Sequence, residues 1–167
     1  MKVVFFSESG IVGKVDRKFP NARNDIAWSI MMNADWCPYG KTPTEKYDLG
    51  VVTIPKTKPN LDVDWFKQYC DKIAIMQEGP HWYFQDYSVE QQFQFVENLR
   101  KANWVWCHNE SDVSYYKGLG CKDVRVMRTL MLPEGLNCQL TTSQKKGIIL
   151  GGNFTSWYSG LDSYLIA

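Results

Sequence analysis

A chain of 167 residues fits one domain of ordinary size and can bury about two-thirds of its unfolded surface, so it needs no disulfide or metal staple. Hydrophobic residues make up 44% and charged residues 22%, the balance of a globular protein rather than a disordered or fibrous one. A formal net charge of +1 gives no global field toward polyanions, which excludes nucleic acid and acidic lipid as the expected partners.

The five cysteines, Cys37, Cys70, Cys107, Cys121 and Cys138, are odd in number and form no CxxC pair. That points to reduced thiols and a cytoplasmic location. The Asn-x-Ser/Thr matches at Asn109 and Asn153 are then chance occurrences of a short pattern. No apolar run approaches ~18 residues, so no transmembrane segment is expected. The start "MKVVFFSESG" has too short an apolar core for a signal peptide and reads as a strand.

Residues 2–7 ("KVVFFS") form that first buried strand, closed by a Ser/Gly loop. Residues 24–34 follow as a helix, with Ile26, Ala27, Ile30, Met31 and Ala34 on one face. Residues 37–44, rich in Pro, Gly and Thr, read as a connector, and residues 48–54 as a second strand ended by Pro55. Asp62 or Asp64 can cap a short helix carrying Phe66, Tyr69 and Cys70.

A third strand is expected at residues 72–77, ending in "EGPHW". Ser88 and Gln91 then make a capping-box pattern at the head of a helix to about Lys101, with Phe93, Val96 and Leu99 facing inward. Residues 104–108 give a fourth strand and 111–118 a short helix stopped by Gly118 and Gly120. Residues 123–132 give a fifth strand. "LPEGLN" is a turn, "TTSQKK" a polar linker, and residues 147–150 a last strand.

Apolar strands separated by helices predict an α/β domain of three layers, Rossmann-like, with a mostly parallel sheet covered on both faces. One crossover hand and a single reversal give a strand order of about 2-1-3-4-5. The composition shifts once, at residues 137–146, and the boundary is placed so that 1–140 form the first domain and 141–167 a linker and the start of a second.

Ligands in such sheets sit beyond the carboxyl ends of the strands, where the order reverses. The expected crevice lies between the first and third strands, with "SESGIVGKVDRK" and "QEGPHWYFQDY" as its lips. On the first lip Gly10 and Gly13 let backbone approach a ligand, and Lys14, Arg17 and Lys18 add positive charge. The spacing is neither the dinucleotide fingerprint nor a P-loop, and a pair of glycines also serves an ordinary turn.

On the second lip His81 follows Glu78 across a rigid Gly79–Pro80 step. A histidine there can exchange a proton near neutrality, or it bonds local backbone. Trp82, Tyr83, Phe84 and Tyr87 suit the faces of a sugar ring or a lid over the sheet edge. His108 ends the fourth strand beside Asn109 and Ser111 and reads as structural. Trp104 and Trp106 alternate with Val105 as core packing. Two histidines without Cys/His clustering argue against a metal site.

With these elements placed, the chain resembles the amino-terminal half of a GT-B fold glycosyltransferase of the retaining, nucleotide-sugar-dependent type. The resemblance is carried by "KVVFFSESGIVGK", "IAIMQEGPHWYFQDY", "ANWVWCHNESDVSYYKGLGCKDVRVM", the hinge-like "LPEGLN", and "GIILGGNFTSWYSGLDSYLIA", which looks like the opening of a second domain. It implies a hexosyl transfer from a nucleotide-sugar donor to a carbohydrate or glycosylated acceptor, with no cofactor beyond that co-substrate.

It further implies that the donor is held mainly by a second domain of which this chain has the start, with Gly151, Gly152 and Asn153 as the beginning of the donor loop. This chain alone is then expected to be inactive. His81 is the position matching the family's amino-domain histidine, and Gly10, Gly13, Arg17, Glu78 and Trp82 are the acceptor-side candidates. The alternative is a free-standing flavodoxin-like module that binds a small molecule without catalysis, its last strand joining the same sheet. A receiver-like signalling domain fails for want of an acidic cluster beyond Glu8.

Overall fold

The structure is a computed structural model that describes residues 1–8, 10–17, 23–54, 61–77, 84, 87–130 and 132. The chain divides into two units, Met1–Asn137 and Cys138–Ala167. Every described residue belongs to the first, so the expected linker and second-domain start at 141–167 lie outside the described residues.

Seven strands form one sheet: β1 (Val3–Ser7), β2 (Gly13–Lys14), β3 (Asp35–Pro38), β4 (Tyr47–Thr53), β5 (Cys70–Met76), β6 (Trp104–Cys107) and β7 (Val124–Val126). Four helices accompany them among the described residues: α1 (Asn24–Met31), α2 (Val63–Phe66), α3 (Val89–Lys101) and α4 (Glu110–Gly118). The order across the sheet is β2-β3-β1-β4-β5-β6-β7. All pairings are parallel except the two-residue β2 against β3.

The expected strand order is therefore corrected. The first strand does not lie beside residues 72–77; β4 stands between them, with Val3 opposite Leu49 and Phe6 opposite Val52. The cause is β3, which occupies the start of a stretch whose Pro, Gly and Thr read as a connector. "DWCP" has too few residues to show alternation, yet Val4 pairs with Asp35 and Phe5 with Trp36. With β3 on the outer side of β1, the reversal falls between β1 and β4.

The sheet is covered as one crossover hand requires. The step from β1 outward to β3 carries α1 on one face, where Ile26 packs with Val3, Phe5, Trp36, Val51, Ala74 and Met76. The steps in the opposite direction carry α2, α3 and α4 on the other face. There Val63, Phe66, Phe95, Leu99 and Tyr116 pack with Phe6, Val52, Ile73 and Val105. Trp106 is buried and Trp104 packs against the α1-side core, as their alternation predicts. An α/β class with helices on both faces is thus observed.

Local signals account for the starts of α2 and α3, whereas Asn109 at the head of α4 makes no side-chain cap bond. The Asp62 carboxylate accepts from the Asp64 backbone N–H at 2.9 Å and caps α2. The Ser88/Gln91 capping box opens α3. The inward face of α3 differs from expectation: Phe93 is 69% exposed, while Phe95, Asn98 and Leu99 are buried. Asn98 explains the rotation, because its amide bonds the Val63 N–H and the Leu61 carbonyl and so fixes which side meets α2. Met31, expected inward on α1, is likewise exposed.

The fifth strand stops at Val126 rather than extending to residue 132. The chain then turns to α1, where Trp28 Nε1 donates to the Arg128 carbonyl at 3.1 Å and the Leu130 N–H donates to Asn24 Oδ1 at 2.8 Å.

Candidate functional site

Strand alternation decides what reaches the reversal point. In β4, Leu49 and Val51 face α1, so Thr53 at the carboxyl end faces α1 as well. By the same period Ser7 ends β1, and Met76 ends β5, on that face. Three adjacent strand ends thus present a hydroxyl, a hydroxyl and a thioether beneath the amino terminus of α1.

The α1 terminus supplies the rest. Asp25 is buried, and its carboxylate accepts from Arg23 Nε at 3.1 Å, Arg23 Nη2 at 2.6 Å, Ser7 Oγ at 2.7 Å and its neighbour's backbone, Ile26 N–H, at 2.9 Å. A carboxylate offers about four acceptor positions, and these four bonds occupy them. Arg23 Nη2 also donates to Ser7 Oγ at 2.8 Å. The charges of Arg23 and Asp25 cancel, which is what makes a buried carboxylate tolerable at this depth.

Arg23, Asn24, Asp25, Thr53, Met76 and Gln77 line a cavity of about 340 Å³. Gln77 is held rigidly: its amide donates to Asp112 Oδ2 at 2.9 Å and accepts from the His108 N–H at 3.0 Å. His108 Nδ1 lies 3.1 Å from the Met127 carbonyl, the structural role its setting predicts. Asn24 Nδ2 meets Met76 Sδ at 3.8 Å. Thr53 is the exception in this network, since its Oγ1 is buried and has no hydrogen-bond partner.

A second groove of about 530 Å³ lies at the same end of the sheet on the opposite face, with Phe6, Tyr39, Lys41, Trp65 and Phe66 among its walls. Trp65 meets Phe66 edge-on, with ring centroids 5.0 Å apart.

The expected crevice between β1 and the strand at 72–77 does not exist as a pair of neighbours; the cavity lies at the carboxyl ends of β4 and β5 beneath the start of α1, and Gln77, the first residue of the expected second lip, lines it. Gly10, Gly13 and Arg17 are not among its described lining residues. Gly10 has φ +117°, and a Cβ there would come within 2.6 Å of Trp36 Nε1, so its place in the fold is close packing on a buried indole. Gly13 has φ +116° with open space around it, and it begins the edge strand β2. Lys14, expected to add charge to the loop, is paired with Asp35 at 2.9 Å across that edge.

His81, Glu78, Trp82, Lys18, Gly151, Gly152 and Asn153 lie outside the described residues. Arg23, Asp25 and Thr53 escaped the sequence reading. A signal for each exists: a basic and an acidic residue flanking Asn24 where a helix starts, and a lone hydroxyl ending the apolar run "GVVT".

Cys37, Cys70, Cys107 and Cys121 are free and buried. Burial pushes the Cys70 thiol up to about 12 and the Cys121 thiol up to about 11, which makes them packing groups rather than nucleophiles. Among the described residues no cluster of His, Cys, Asp and Glu could hold a metal ion, and no helix is long and apolar enough to cross a membrane. No family model, no curated protein and no solved structure matches the chain.

Proposed function

We propose that the described domain is the acceptor-side half of a nucleotide-sugar glycosyltransferase. The observation that carries this reading is the cavity at the carboxyl ends of β4 and β5 beneath the start of α1, beside the reversal between β1 and β4, lined by Arg23, Asn24, Asp25, Thr53, Met76 and Gln77. Parallel α/β sheets bind their ligands at this point. A wall of hydroxyl, amide and paired charges beside a thioether matches a molecule with hydroxyls on its rim and C–H groups on its faces.

In this reading the acceptor sugar enters the cavity, Glu78, His81 and Trp82 are acceptor-side groups, and the nucleotide sugar is delivered by another domain. His81 then lies near the transferred sugar as the proton-exchanging or positioning group. Gly151, Gly152 and Asn153 open the donor loop.

Two measurements test it. Transfer from UDP-glucose and GDP-mannose is assayed with the complete gene product, where sugar transfer is expected. Titration of UDP, GDP and UDP-glucose against the 167-residue chain is expected to show no tight site. Tight nucleotide binding by this chain, with no transfer by the gene product, would replace the acceptor-side assignment with that of a nucleotide-binding module.

A further inference from the structure

We infer that the cavity at the ends of β4 and β5, beneath the start of α1, takes one neutral hydroxylated ring, and that the Thr53 hydroxyl is the group that recognises it. The inference rests on the acceptor-side reading above and adds to it the charge class of the ligand and the residue that selects it.

Three observations carry it. The first is charge. Arg23 and Asp25 are joined by two short bonds, 3.1 Å and 2.6 Å, so the cavity presents a cancelled pair. A phosphorylated or carboxylated ligand would meet a guanidinium already engaged and a carboxylate beside it. A neutral molecule pays no such repulsion.

The second is size. A volume of about 340 Å³ stands at the low end of the about 300–1,000 Å³ usual for ligand sites, which suits a single ring, and Met76 provides an apolar wall for its C–H face.

The third is the orphan hydroxyl. Thr53 is 4% exposed, lines the cavity, and its Oγ1 has no partner. Every other polar group placed around it is engaged: Asp25 by four donors, Ser7 by Asp25 and Arg23, Gln77 by Asp112 and His108. A buried hydroxyl without a partner destabilises the domain that carries it. Valine has the same shape and branching and would fill the position without that penalty. Oγ1 is enclosed by its neighbours in this structure, and a ligand hydroxyl supplies the missing bond, as donor or as acceptor, when the Thr53 side chain turns toward the cavity. Asp25, saturated by its own protein, is a positioning residue that holds Arg23 and α1 in place.

The test is ligand-observed and amide-shift NMR on the 167-residue chain. The probes are methyl α-glucoside, methyl β-galactoside and methyl β-N-acetylglucosaminide, with glucose 6-phosphate and inorganic phosphate as charged controls. At least one neutral glycoside is expected to bind and to shift the amides of Ile26 and Gln77. Thr53→Val is expected to weaken that binding roughly tenfold, about 1.4 kcal/mol, with a melting temperature equal to the parent's or higher. Thr53→Ser restores the hydroxyl and should restore binding.

A valine variant that binds as the parent does, or that melts well below it, overturns the assignment of Thr53. Saturable binding of the phosphates and of no neutral glycoside, or binding of nothing, overturns the ligand class. Either failure leaves the transferase reading standing on its own assay. Glycoside binding without sugar transfer by the gene product would remove the transferase reading and keep the cavity's ligand.

Discussion

Asp25 and Thr53 sit within one cavity wall and have opposite effects on stability. Removing Asp25 takes a buried carboxylate away from Arg23 and leaves Ser7 Oγ and the Ile26 N–H without this acceptor. Asp25→Ala is expected to cost about 3 kcal/mol, read as a lower urea midpoint. Thr53→Val removes a hydroxyl that nothing satisfies and is expected to stabilise by about 1 kcal/mol. Gly10→Ala is a different case: φ +117° and a Cβ 2.6 Å from the Trp36 indole nitrogen leave no room for a cheap adjustment. A loss of roughly 2 kcal/mol is expected from the backbone alone, measured by the same unfolding midpoint. At this scale the sequence offered Gly10 as a place where backbone approaches a ligand or turns, and the structure sets it against the Trp36 indole. What the glycine serves, contact with an indole from β3, depends on a strand 26 residues downstream in the chain.

Helix α2 has four residues and could not persist alone, since isolated helices that short are marginal. It exists because α3 holds it. Asn98, buried in α3, bonds the Val63 N–H at 3.2 Å and the Leu61 carbonyl. Asn98→Ala orphans both backbone groups and is expected to cost about 2 kcal/mol. Ser88→Ala, which removes only the α3 cap, is expected to cost about 1 kcal/mol. Equilibrium denaturation of the two variants should rank them in that order.

A surface clip joins the same helices, as Asp64 meets Lys67 at 2.9 Å and Lys101 at 2.7 Å. Hydrogen bonds from Lys101 and then Lys67 hold its carboxyl at about 2, below the usual 3.8. A depressed carboxyl stabilises above its unfolded value, and that stabilisation fades as pH falls from about 4 to about 2. The effect is exposed, hence small and screened by salt. The cap of α3 was legible because it is a local pattern. Its inward face was misread because Asn98 outranks Phe93, and a buried amide earns its place only through partners on another helix.

Among the described residues, the carboxyls held below their usual range (Asp64, Glu90, Asp123) lie at the surface, while the thiols and phenols pushed up, Cys70, Cys121, Tyr47 and Tyr116, are buried. Burial pushes Cys70 up to about 12 from 9.0 and Cys121 up to about 11. Burial, with Asp35 beside it, pushes Tyr47 up to about 12 from 10.0. Tyr116 is raised too, by burial first and then by Asp112. Each is neutral in the fold and ionises at its ordinary value in the unfolded chain. Raised values of this kind leave stability intact below about pH 9, with loss as pH climbs from about 9 toward 12. The urea midpoint is expected to hold up to about pH 8.5 and to fall steadily above it.

Amino-acid order alone settled the layered α/β class, the parallel core strands and the capping of α3, because each is written in a short period or a contact within one turn. Only the tertiary structure decided that Asp35–Pro38 is a strand, that the reversal lies between β1 and β4, and that Ser7, Arg23, Asp25 and Thr53 meet there. A four-residue strand bounded by Asp and Pro carries no periodic signal; what makes it a strand is the unpaired edge of β1, whose hydrogen bonds must be met by something. That one pairing moved β4 to the inner side of β1, between β1 and β5, and left β5, β6 and β7 the neighbours they were expected to be.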